Sequence, residues 1–160
     1  MHVWPFYAGL AVAACVASWR NVELRPVGVA VVVSLAASNA AHWWLPAMER
    51  PAAYTVAEAT VLSMAFLAHV CGASRLLVAI VAVSIVSIGL NIRMTTIDAP
   101  TLEQIRGWEV STNVCFAAEC LLVITSALHE RVRRTFCRFV DGRRGSAFHG
   151  RAARSKETNR

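Results

Sequence analysis

The feature that most limits what this chain can fold into is the run from Ala52 to Cys71, AAYTVAEATVLSMAFLAHVC, which is apolar over a bilayer's length and holds one carboxylate, Glu58, about two turns inside its first end. In hydrocarbon, only a helix or a closed barrel satisfies its own backbone hydrogen bonds. Comparable runs lie on either side with little polar sequence between them, leaving no room for a separate soluble domain. With 56% hydrophobic residues in 160, the chain has the composition of a small polytopic membrane protein, and an all-α transmembrane helix bundle is the expected fold.

The spans follow from the apolar runs and the residues that interrupt them. The first covers 3–19, with Pro5 in the opening turn where proline is tolerated, and it is the shortest. The second covers 27–45 and ends at Pro46; the third, 52–71, comes after a turn with a proline on each side. Gly72 to Arg75 turn the chain into the fourth, 76–92. The long connection after it contains Thr101-Leu-Glu-Gln104, the pattern of a capping box, with Gly107 as the expected stop of a short surface helix. The fifth span covers 110–128, giving a bundle over 1–128. A basic amphipathic helix over 129–141 then places Leu128, Val132, Phe136 and Phe139 opposite the arginines, and the Arg-rich tail over 142–160 is expected to be disordered.

Charge sets the orientation. The net charge of +6 is concentrated in 131–160, where nine Arg and one Lys face only Asp141 and Glu157. With that tail in the cytoplasm, five spans put thirteen basic residues inside and three outside, so the N-terminus is expected outside and the C-terminus inside. Trp4, Trp43, Trp44, Tyr54 and Trp108 then fall at the outer boundary and Trp19 at the inner one, as interfacial rings prefer. Arg131, Arg133, Arg134 and Arg138 are the expected contacts for anionic lipid headgroups, and nucleic acid is the less favoured partner of such a tail. Val12-Ala13-Ala14-Cys15 has the look of a bacterial lipoprotein cleavage site, but the preceding residues lack a basic n-region, so an uncleaved N-terminus is expected. A multi-pass protein of a bacterial or phage-encoded cytoplasmic membrane fits these features.

Polar residues recur at helical spacing inside the spans: Ser34, Ser38, Asn39 and His42 in the second; Ser84, Ser87 and Asn91 in the fourth; Thr112, Cys115, Glu119 and Ser126 in the fifth. Lipid offers such groups no partner, so these stripes face one another as a polar seam. By helix rise, Glu58 and Asn39 lie about 9 Å in from the outer turn and Glu119 about 13 Å. Glu58, Glu119, Asn39, His42, Asn91 and Asn113 are therefore expected to converge in the outer half, with Arg93 within reach from above. An ionised carboxylate at a helix centre costs roughly 2.5 to 3.5 kcal/mol on insertion scales, so each Glu must be paired, protonated or wetted. Two readings stay open for the glutamates: a site for protons, ions or small solutes, or hydrogen bonds to Asn39, His42, Asn91 or Asn113 that hold helices together.

Other chemistry has little support. The five cysteines form no CxxC and read as reduced, His69 has no second histidine at ligand spacing, and neither a metal nor a cofactor is expected. HExxH, GxSxG, P-loop and GxGxxG patterns are absent, which weakens an enzyme reading. Three functions remain. The first is permeation along the seam by a bundle that is monomeric or a homo-oligomer; an outside N-terminus with a short basic cytoplasmic tail is also similar to some phage holins, although those usually have fewer spans. The second is an accessory or scaffold protein whose small-residue faces Ala36/Ala40 and Ala37/Ala41 dock a partner membrane protein. The third is an intramembrane enzyme acting on lipid or quinone through the carboxylates and His42.

Overall fold

The computed structural model describes residues 4–72 and 75–157, with side chains through 137. All regular structure among the described residues is helical: α1 (Trp4–Ser18), α2 (Arg25–Trp44), α3 (Arg50–Val70), α4 (Leu77–Thr95) and α5 (Leu102–Glu157). Four helical segments are long and apolar enough to cross a membrane: α2, α3, α4 and the 102–137 part of α5. They mark a multi-pass membrane protein. The fifteen residues of α1 extend only about 22 Å, short of a hydrocarbon core of about 30 Å.

Local sequence explains the helix ends. Pro26 and Pro51 occupy the first turns of α2 and α3, where a missing N–H leaves nothing unpaired. Between α1 and α2, Asn21 Oδ1 accepts the Glu23 N–H at 3.1 Å, while Arg25 donates to the Trp19 carbonyl at 3.0 Å and lies over its ring. Gly72 closes the turn after α3 with φ +82°, the one positive φ among the described residues. The capping box before α5 forms: Gln104 Oε1 accepts the Thr101 N–H at 2.8 Å and Thr101 Oγ1 accepts the Gln104 N–H at 3.3 Å.

Gly107 does not stop a helix, contrary to the expectation of a separate surface helix. The helix that starts at Leu102 continues through it into the fifth span. Glycine costs about 1 kcal/mol in a helix interior, and the anchoring of its neighbour outweighs that: Trp108 is fixed by a hydrogen bond to α4 and a stacked ring on α3.

The chain forms two compact units, Met1–Ala127 and Leu128–Arg160. In the first, neighbouring helices run antiparallel. Trp4 of α1 meets His42 of α2, and Ser18 and Cys15 of α1 meet Gly28 of α2, so the hairpin is packed over its whole length. The 102–127 part of α5 lies between α4, through Ser84–Glu119 and Asn91–Trp108, and α1, through Tyr7–Phe116. It also touches α3 through stacked Tyr54 and Trp108 and through the Arg50–Glu109 ion pair. One end of this unit therefore collects Trp4, Trp44, Arg50, Thr95 and Leu102; the other collects Ser18, Arg25, Val70, Leu77 and Ala127.

The core is one apolar cluster fed by all five helices, including Ala14, Val27, Val31, Val61, Ala65, Leu77, Ile80, Cys120 and Val123. By helix direction, most of it lies toward the Ser18 end. In the second unit, Arg133 grips Glu130 with two hydrogen bonds, of 2.9 and 2.5 Å, while Leu128, Val132, Phe136, Arg131 and Arg134 are exposed. Arg138 and Phe139 lie outside the residues whose side chains are described, and α5 runs on as one helix to Glu157, across 142–157 where disorder was expected.

Candidate functional site

The site begins with three positions on one face of α4. Ser84, Ser87 and Asn91, spaced three and four apart, all point into the bundle and none is exposed. Facing them are Glu58 of α3 and Glu119 of α5, 6% and 0% exposed. Ser84 Oγ donates to Glu119 Oε1 at 2.5 Å. The Glu58 carboxyl lies beside both that of Glu119 and the Ser87 hydroxyl. Glu58 and Ser87 are each eight residues, about 12 Å of helix, from the Trp4 end of the unit, which places the pair of acids near the middle of a bilayer.

Two acids held side by side in a dry interior are a high-energy arrangement. Like charges at that distance repel, and removing a carboxylate from water costs several kcal/mol. No Arg, Lys or His forms a salt bridge with either acid among the described residues. The hydrogen bonding is also strained: Glu58 Oε2, Glu119 Oε2 and Ser87 Oγ are buried and crowd one another, yet none makes a hydrogen bond of standard geometry. Buried polar atoms in folded proteins are paired almost without exception, and three such atoms at one spot mark a place built for something more than packing.

A second polar contact lies one turn closer to the Trp4 end. Trp108 Nε1 donates to Asn91 Oδ1 at 2.8 Å, and the indole stacks on Tyr54 with ring centroids 5.3 Å apart. Trp108 is 6% exposed and so belongs to the core, not to an interfacial belt as its boundary position suggested. Trp43, Trp44 and Trp19 are exposed, as belt residues must be. Asn91 thus pairs with an indole and not with Glu119, and its Nδ2 is unpartnered.

A small cavity reaches Glu58 from the Trp4 end. Trp4, Tyr54, Thr112 and Asn113 line it nearer that end, and Leu35, Glu58 and Phe116 lie deepest. Its volume of about 30 Å³ admits roughly two waters. Beyond the acids, toward the Ser18 end, the interior is mainly the apolar cluster, with Ser34, Ser126, Ser18 and Asn21 as buried polar residues among the described ones. The seam is therefore densest at and above the acids and thins to isolated polar groups toward the Ser18 end.

The candidate residues divide accordingly. Glu58 and Glu119 come together against α4, Asn91 is buried one turn away and pairs with Trp108, and Asn113 joins Glu58 at the cavity. Asn39 instead accepts a hydrogen bond from Trp43 of its own helix at 3.1 Å and lines an apolar groove between α1 and α2. His42 sits between the rings of Trp4 and Trp43. Arg93 is exposed and lines a separate cleft with Leu90, Met94, Gln104 and Trp108. Neither Asn39, His42 nor Arg93 touches the acids. Trp108 and Tyr54 were not among the expected site residues; their one signal was position, a tryptophan seventeen residues after Asn91 across a hairpin.

Comparison with protein families, characterised proteins and solved structures returned no match.

Proposed function

We propose that the chain is a non-enzymatic, integral membrane protein that handles protons or small cations at the Glu58–Glu119 pair. The observation that carries this reading is the trio of buried, unpartnered oxygens, Glu58 Oε2, Glu119 Oε2 and Ser87 Oγ, with no basic side chain beside them. Interhelical glue would satisfy its hydrogen bonds; here only Glu119 Oε1 does so, through Ser84, and the other three oxygens make none of standard geometry. The cavity supplies access from the Trp4 end. Since the opposite half is packed mainly with apolar side chains around a few buried polar groups, transfer across the membrane requires those helices to shift, which describes a carrier or gated pathway and not an open pore.

The test is flux in liposomes holding the purified protein, monitored by a pH-sensitive dye under an imposed gradient. Glu58→Gln and Glu119→Gln are expected to lower flux at least about tenfold, 1.4 kcal/mol in the barrier, while the unfolding midpoint shows that both variants still fold. Variants that conduct like the parent would overturn the reading.

In this reading the N-terminus is outside and the C-terminus inside, α1 is a fifth, short crossing packed along α2, and the exposed Arg131, Arg133 and Arg134 lie against anionic headgroups with Leu128, Val132 and Phe136. A docking role has one observation in its favour: Ala36, Ala37 and Ala40 are exposed on α2, where small side chains let another helix approach closely, whereas Ala41 is buried. Replacing Ala36 and Ala40 with Leu is expected to dissolve any oligomer or complex seen in mild detergent and to leave the monomer's flux intact. Unchanged assembly would remove the docking role.

A further inference from the structure

The ligand chemistry of the acid pair goes a step beyond the function proposed above, on which it rests. Its donors come from three helices and are all oxygen: Glu58 Oε2 from α3, Ser87 Oγ from α4 and Glu119 Oε2 from α5, with Ser84 Oγ fixing the other oxygen of Glu119. All of these side chains are more than nine-tenths buried, and the first three atoms make no hydrogen bond of standard geometry. An all-oxygen, carboxylate-rich set suits hard cations and disfavours soft ones.

Size and ligand number narrow the choice. Calcium takes about six to eight oxygens, and magnesium keeps several waters in a near-octahedral shell. Here the protein offers four oxygen-bearing side chains, and the adjoining cavity has room for roughly two waters. That is too little room for the several waters magnesium keeps, and calcium would need both carboxylates bidentate and both hydroxyls at once, whereas a small monovalent ion completes its shell with fewer of these oxygens. A single positive charge among these oxygens also relieves the repulsion between the acids, for which the described residues offer no salt bridge.

We propose that Glu58, Glu119 and Ser87, with Ser84 as support, form a binding site for one dehydrated alkali cation of sodium or lithium size, loaded from the Trp4 end of the bundle. Asn113 and Thr112 line the approach, and Phe116 closes its deep side.

Ion-dependent stability reads this out separately from flux. Unfolding of the purified parent is measured in sodium, lithium, potassium, calcium and choline chlorides at matched ionic strength. A ligand that binds only the folded state raises the midpoint, so sodium and lithium should raise it by several degrees over choline, with little effect from potassium or calcium. Glu58→Gln and Glu119→Gln should abolish the shift, and Ser87→Ala should raise the sodium concentration giving half of it about tenfold. Equal midpoints in sodium and choline would overturn the cation site. If the parent then still carries protons through the acids, the proposed function survives without it. A shift produced by calcium in place of sodium would overturn the monovalent assignment. A sodium shift lost in the Gln variants, in a protein that moves nothing across liposomes, would sustain the site and refute the transport role.

Discussion

Residue by residue, what distinguishes this bundle is that its polar contacts are not equally satisfied. The Trp108–Asn91 hydrogen bond is complete on the indole side and buried, so it should contribute to stability. Trp108→Phe preserves the ring against Tyr54 but leaves both ends of the Asn91 amide unpaired, and should cost about 1 to 2 kcal/mol, visible as a lower unfolding midpoint in detergent. Adding Asn91→Leu should recover part of that loss, since no buried polar atom is then stranded; a fully additive double variant would mean that the bond contributes nothing. That the glutamates face the bundle interior was legible in the sequence, because lipid offers a carboxylate no partner. Their partners were not. Spacing placed Asn39, His42 and Asn91 at suitable depths, but depth does not fix rotation about the helix axis. Asn39 turns to Trp43, Asn91 to Trp108, and only the α4 serines reach the acids.

At the scale of elements, the helices stood out wherever an apolar run ended in proline or a glycine turn, and were misread where a local signal competed with packing. Gly107 is the clear case. It lies inside α5 with no positive φ, and a Cβ there would meet nothing within 4 Å. Gly107→Ala should therefore stabilise the protein by about 0.5 to 1 kcal/mol, whereas a glycine serving as a left-handed helix stop would be harmed by alanine. Gly28 is the opposite case. A Cβ there would fall 2.0 Å from Ser18 Oγ and 3.2 Å from Cys15 Cα, because α1 and α2 touch at this point. Gly28→Val should push the hairpin apart and cost about 1 to 3 kcal/mol, measured by thermal unfolding, with α1 becoming more open to protease. An unchanged midpoint would mean that α1 is not seated on α2 at this glycine.

For the molecule as a whole, orientation and the buried acids have to be consistent with each other. Three arginines flank each end of the bundle, Arg20, Arg25 and Arg75 at one and Arg50, Arg93 and Arg106 at the other, so the proposed orientation rests on the Arg-rich C-terminal stretch. Two native thiols test this directly. Cys71 and Cys137 are exposed, and both fall on the inner side in the proposed topology. A membrane-impermeant maleimide should leave both unmodified in intact cells and reach them after permeabilisation, while a cysteine introduced at Asp98 should react in intact cells. Labelling of Cys71 without permeabilisation would reverse the orientation. The central claim, that Glu58 and Glu119 form a working pair in the dry middle of the bundle, is tested most directly by carbodiimide modification of the protein in its membrane, mapped by mass spectrometry alongside flux. A hydrophobic carbodiimide should modify Glu58 or Glu119 and stop flux in proportion, with its water-soluble counterpart sparing both. Modification by the water-soluble reagent, or full flux from protein modified at both positions, would contradict the account.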